Sequence, residues 1–145
     1  MAHIAEDLRR QVAERADWRC EYCHSSEFVT GGPFHVDHVK PEALGGATEV
    51  DNLAYACARC NLHKGQRVRF QDPVSGQSVS LFDPRQHRWL HHFRWSADGM
   101  RIIGRTRTGR STVIALQMNH PLILRARSLW VSCGIHPPRT DRQAQ

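Results

Sequence analysis

Apolar residues at Ile4, Leu8, Val12 and Ala16 recur at every fourth position, and this stripe predicts an amphipathic helix over residues 4–19. Its acidic residues come early and its arginines late, the sense the helix dipole favours, and it reads as scaffold. Residues 25–33 are polar and glycine-rich and read as a loop. Residues 34–39 alternate apolar and polar and predict a short strand that Pro41 stops. A long loop follows over 41–51 with Gly45-Gly46, then a second short strand at 53–56, then a helix over 57–64 that Gly65 ends. The predicted order is strand, loop, strand, helix.

Beyond residue 66 the pattern changes. Residues 67–82 read as a hairpin with its turn at 72–76, and Asp83-Pro84 as a further turn. Residues 86–93 are a short helix or irregular. Residues 93–95 and 100–104 flank Ala97-Asp98-Gly99, a hairpin turn. Ser111 is expected to cap a helix running through Met118, and Asn119 a second helix with Pro121 early and Gly134 past its end. Leu122, Ile123, Ala126, Leu129 and Trp130 keep helical spacing within it. Trp89, Trp95 and Trp130 are available as core, and the tail from Pro137 onward is polar and expected to fray. The class is α+β. The chain divides into an N-terminal helix (1–17), a compact strand-loop-strand-helix unit (18–67), a basic β-hairpin plus helical extension (68–136) and a tail (137–145).

Composition adds little until charge is followed along the chain. Of 145 residues 40% are hydrophobic and 23% charged, ordinary for a globular protein. No apolar run approaches the roughly 18 residues of a membrane span, and the charged start MAHIAEDLRR lacks the apolar centre of a signal peptide, so the expected location is the cytoplasm. Residues 1–63 carry six Lys/Arg against ten Asp/Glu, net −4, whereas residues 64–145 carry fourteen against four, net +10. Eighteen of the twenty basic residues are arginine, the side chain suited to bidentate phosphate contacts. A polyanion partner is implied.

Four of the five cysteines form two C-x-x-C pairs, Cys20/Cys23 and Cys57/Cys60. Two such pairs close a tetrahedral zinc site with no position left open, so the ion would be structural. The pairs bracket the loop between the two strands, which one zinc would staple shut. Cys133 is left over and is expected to be a buried thiol.

Between the pairs lies a second kind of chemistry. Asp37 and Asn61 offer hard oxygen ligands suited to Mg²⁺, and His38 a base with a pKa near neutrality. Asp37-His38 at a strand end and Asn61 at a helix start could meet across the loop. Lys64, one turn after Asn61, is expected to face the same phosphate.

The segment C-x2-C, VDH-x2-P, GG, DNL, C-x2-C-N-x2-KG, spanning about residues 18–67, resembles the HNH endonuclease family with its ββα-metal (His-Me) finger. The resemblance implies that Asp37 and Asn61 bind a catalytic Mg²⁺ (or Mn²⁺), that His38 is the general base, and that Asn52 braces the loop so that the histidine is aimed. It also implies a structural Zn²⁺ on Cys20, Cys23, Cys57 and Cys60.

The expected function is therefore divalent-metal-dependent hydrolysis of DNA phosphodiester bonds. One such site attacks one strand, so a monomer nicks, and a double-strand break requires a homodimer or two events. Double-stranded DNA is the expected partner. Candidate contacts are Lys64, His63, Arg67, Arg69 and His35, with Arg59 beside them, while adjacent His91-His92 point apart and do not read as a metal pair. The basic extension is expected to grip DNA, with dimerisation or plain support as alternatives. A zinc-stapled nucleic-acid-binding module without catalysis leaves Asp37, His38 and Asn61 without a role; a structure-specific RNase would use the same groups.

Overall fold

The computed structural model describes residues 3–143, which form two compact units: Met1–Val68 with Asp83–Gln86, and Arg69–Phe82 with His87–Gln145. Among the described residues no helix is long and apolar enough to cross a membrane.

In the first unit, helix α1 (Glu6–Arg15) buries Val12 and Ala13. It ends four residues earlier than the apolar stripe predicts, because Asp17 and Trp18 adopt left-handed φ values of 53° and 57° and turn the chain toward Cys20. Arg15 ties the helix to the finger by donating to the carbonyls of Val50, at 2.8 Å, and Leu53. The segment expected to be a loop contains one turn of helix, α2 (Glu27–Thr30), capped by Ser26. Glu27 makes it adhere, accepting from the Phe34 amide at 2.7 Å and the Tyr55 hydroxyl at 2.5 Å.

Strands β1 (His35–His38) and β2 (Leu53–Ala56) pair antiparallel, with His35 opposite Ala56 and His38 opposite Leu53. Every residue of β2 is buried. Helix α3 (Ala58–Lys64) follows with Cys57 as its cap. The unit is thus an α+β finger of two strands and a helix, in the predicted order. The long loop between the strands carries two 3-10 turns, Glu42–Leu44 and Val50–Asn52.

The second unit opens with the hairpin β3 (Arg69–Gln71) and β4 (Ser78–Ser80). After helix α4 (Trp89–His92) comes a second hairpin, β5 (Phe93–Trp95) and β6 (Ile102–Gly104). Its core stacks aromatic rings: Phe82 and Trp89 each lie 5.1 Å from Phe93, and Trp89 lies 5.6 Å from Trp95.

Helix α5 (Arg107–Ala115) begins earlier than expected because Thr106, not Ser111, caps it; Ser111 is buried within the helix. Likewise His120, not Asn119, caps α6 (Pro121–Ser132). Asn119 pairs instead with the backbone of Ile102, accepting at 2.9 Å and donating at 2.8 Å. Cys133, expected to be buried, is exposed past the end of α6. In the segment read as a fraying tail, Arg139–Gln143 form helix α7, and buried Asp141 accepts from the Trp95 indole at 2.9 Å; residues 144–145 lie outside the described residues.

A Cβ on Gly109 of α5 would lie 2.0 Å from the His92 carbonyl oxygen. In an unconstrained helix Gly→Ala stabilises by about 1 kcal/mol. Here Gly109→Ala is expected to destabilise the protein in urea unfolding, because backbone must move to admit the methyl group. A stabilised variant would contradict the close packing of α5 against the residue before β5.

Candidate functional site

The first cysteine pair sits on a tight turn, in which the His24 amide donates to the Cys20 carbonyl at 2.8 Å and the Cys23 amide to Cys20 Sγ at 3.4 Å. The second pair repeats that device at the start of α3, where the Cys60 amide donates to Cys57 Sγ at 3.4 Å. The four buried Sγ atoms lie within 4.8 Å of one another, with Cys23 and Cys57 3.7 Å apart. Tetrahedral zinc at about 2.3 Å from each sulfur needs S···S separations of about 3.8 Å. The quartet therefore fits one ion of that kind. No other group of three or more metal-ligating side chains is close enough to do so among the described residues.

The residue between the first two cysteines has a job that its place in a C-x-x-C turn does not reveal. Tyr22 is fully buried, and its hydroxyl donates to Asp37 Oδ2 at 2.7 Å. From the other side, the Lys64 ammonium approaches Asp37 Oδ2 at 3.1 Å and donates to the carbonyls of His38 and Val39, both at 3.1 Å. Lys64 is 1% exposed, so the expectation that it faces a phosphate is corrected. Its ammonium serves the acceptors left at the end of β1. Burial pushes the Asp37 carboxyl above its ordinary pKa, while the Lys64 charge and the Tyr22 hydroxyl act in the opposite direction.

His38 ends β1 with its ring partly covered. Its Nε2 lies 2.9 Å from Thr48 Oγ1 and 3.8 Å from Glu42 Oε1. The Thr48 hydroxyl donates its own hydrogen to Glu42 Oε1 at 3.3 Å, so it accepts from Nε2–H. With the Thr48 hydrogen on Glu42, the proton sits on Nε2 and the Nδ1 lone pair is left free.

Asn52 closes the loop that carries Thr48. Its Oδ1 accepts from the Lys40 amide and its Nδ2 donates to the carbonyls of Lys40 and Ala47, all at 2.9 Å. Its backbone carbonyl also accepts from the Val39 amide at 2.9 Å. Gly46 makes this closure possible: a Cβ there would lie 1.7 Å from the Lys40 carbonyl oxygen and 2.9 Å from Asn52 Nδ2.

Asp37, His38, Asn61 and His35 line one open cavity of about 540 Å³. His3 and, from the helix read as scaffold, Glu6 and Arg9 contribute to it as well, and Arg9 is the one Lys or Arg among its described lining residues. Arg9 also donates to the Phe34 carbonyl at 3.3 Å. Residues 20–67 match the HNH endonuclease family model. The match takes in about a third of the chain, and the HNH segment coincides with the two cysteine pairs, both strands and α3. No curated protein and no solved structure matches the chain.

The remaining sequence candidates fall elsewhere. His63 is half-buried on α3, and its carbonyl, like that of Lys64, accepts from the exposed Arg67. Arg59 is half-buried on α3. Arg69 belongs to the second unit. Sequence reasoning missed Tyr22, Thr48, Glu42 and Arg9, because none belongs to a spacing pattern that marks chemistry.

Removing one partner of a buried ion pair leaves the other uncompensated, typically at about 3–5 kcal/mol. Lys64→Met is therefore expected to destabilise the protein by about 3 kcal/mol in urea unfolding, far more than an exposed lysine would. A loss within about 0.5 kcal/mol, the range of ordinary surface substitutions, would refute the inward role.

Proposed function

We propose that this chain is a divalent-metal-dependent endonuclease that hydrolyses phosphodiester bonds of double-stranded DNA, nicking one strand per event as a monomer. The observation that carries this reading is that Asp37, His38 and Asn61 line one cavity, within a segment that matches an endonuclease family.

The donor set suits a hard cation. An ionised carboxylate has about four acceptor positions, so Tyr22 and Lys64 leave Asp37 the capacity to bind Mg²⁺ or Mn²⁺ together with the Asn61 carbonyl. Bound there, such an ion would stabilise charge on the phosphate and the leaving oxygen. The chain's own groups do the rest. His38 Nδ1 takes a proton from the attacking water while Nε2–H stays anchored on Thr48. Asn52 holds the loop so that this anchor is in place. Arg9 is the lining cation available to a substrate phosphate, and Tyr22 and Lys64 position Asp37.

Cys20, Cys23, Cys57 and Cys60 hold Zn²⁺ in this reading. A four-thiolate zinc has no open coordination position and acts as a cross-link of the fold.

The test is cleavage of supercoiled plasmid by zinc-loaded protein with Mg²⁺ or Mn²⁺. The parent protein is expected to produce nicked circles. His38→Ala is expected to lose about 10²–10⁴-fold in rate with binding retained, and Asp37→Ala to lose cleavage with either metal. Full activity in His38→Ala would remove the base assignment. Tight DNA binding by the parent without cleavage under either metal would favour a zinc-stapled binding module instead.

A metal-specific challenge is independent of cleavage. A zinc chelator is expected to unfold the finger and abolish its circular-dichroism signal, since metal binding to such sites is folding free energy. An unchanged spectrum after full chelation would show that the quartet is not a metal cross-link.

A further inference from the structure

The charge asymmetry between the two halves of the chain persists between the two units. The first carries nine Lys/Arg against eleven Asp/Glu, net −2, and the second eleven Arg against three Asp, net +8. A polyanion therefore gains no net attraction from the unit that holds the cavity, and its affinity must come from local contacts or from the second unit.

Within the second unit the acids are turned inward. Asp72 is fully buried, where Arg110 grips it through Nε at 2.9 Å and Nη2 at 3.0 Å and holds its carboxyl well below the usual carboxylate range. Asp141 is 3% exposed beneath the Trp95 indole. Only Asp98 stays exposed, in the turn between β5 and β6, whereas nine of the eleven arginines are exposed.

Two of those arginines share one polar face. The register of the first hairpin sets Arg69 opposite Ser80 and Gln71 opposite Ser78. All four are exposed, while Phe70 and Val79 pair on the other face. The Arg69 guanidinium lies along β4, donating to Ser78 Oγ and Ser80 Oγ, each at 3.3 Å, and to the Ser78 carbonyl at 2.8 Å. The first turn of α5 joins this face: Arg107 donates to Gln77 Oε1 at 3.1 Å, and Thr108 to the Ser80 carbonyl at 2.9 Å. The result is a surface of amides, hydroxyls and two guanidiniums without a carboxylate. It also lacks an exposed Phe, Tyr or Trp on which an unpaired base could stack, so the chemistry suits the backbone of a duplex rather than a single strand.

We propose that the second unit binds the phosphate backbone of duplex DNA through the exposed face of β3–β4 and the first turn of α5, with Arg69 and Arg107 as its cationic contacts. The choice of DNA rests on the function proposed above; the surface itself does not depend on catalysis. Contacts of this kind carry no sequence information and fix position and affinity.

The test uses the full zinc-loaded chain carrying His38→Ala, so that binding is read without cleavage, and follows anisotropy of a labelled DNA duplex across a salt series. Each phosphate contact contributes about 0.9 to the slope of log affinity against log salt. Arg69→Gln with Arg107→Gln is expected to reduce that slope by about 1.8 and to weaken binding by about tenfold or more at low salt. Arg69→Lys with Arg107→Lys keeps both charges and is expected to retain most of the slope, which separates phosphate contact from a folding defect. Arg10→Gln with Arg19→Gln removes the same charge from the first unit and is expected to leave the slope nearly unchanged.

An unaltered slope in the double glutamine variant, or an equal loss in the first-unit control, would overturn the proposal. Tighter and equally arginine-dependent binding of an RNA duplex would overturn the assignment to DNA. Plasmid cleavage by the chain with native His38 distinguishes the two readings. Cleavage with an unaltered slope removes the surface alone. An arginine-dependent slope without cleavage removes the nuclease and leaves the surface.

Discussion

The Asp37 carboxylate is gripped from two directions, and the finger is assembled around that grip. Tyr22 reaches it from the first cysteine turn and Lys64 from the last turn of α3, so the two ends of the family-matched segment meet on one strand residue. The same ammonium satisfies the His38 and Val39 carbonyls where β1 ends. Buried acceptors left unmet would each cost about 1–3 kcal/mol, so one cation stabilises both the carboxylate and the strand end. The cysteine quartet brings the same two segments together about its sulfurs. The cysteine quartet and the positioning of Asp37 are thereby mechanically linked through Tyr22, which lies between two of the four cysteines.

This arrangement separates tasks along the chain. The first unit is slightly acidic, as a cavity lined by carboxylates requires if it is to hold a cation, and its buried lysine is committed to structure. The second unit keeps two of its three acids inside and nine of its eleven arginines outside. Attraction for a polyanion and the handling of a hard cation make opposite demands on local charge, and under the proposed function they fall on different units.

Much of the finger was legible because its signals are local and redundant. Alternation with a Pro41 stop marked β1, the cysteine spacing and Gly65 bounded α3, and Asp37, His38 and Asn61 do line one cavity. Lys64 was misread because spacing along a helix gives a face but not whether that face looks in or out, and the carbonyls that draw its ammonium inward come from β1. Tyr22 was invisible for a related reason, since its partner lies fifteen residues away. In the second unit the helix caps were misplaced. Thr106 and His120 take the places expected of Ser111 and Asn119, with Asn119 pairing instead to Ile102 and Ser111 buried in α5.

The central claim is that Asp37 and Asn61 together hold a divalent cation beside His38. Direct titration of Mn²⁺ into the zinc-loaded protein, followed by electron paramagnetic resonance, tests it without reference to any substrate. The account predicts one Mn²⁺ site whose affinity falls sharply in Asp37→Ala and in Asn61→Ala but not in His38→Ala. Equal Mn²⁺ affinity in the parent and in both ligand variants would contradict it.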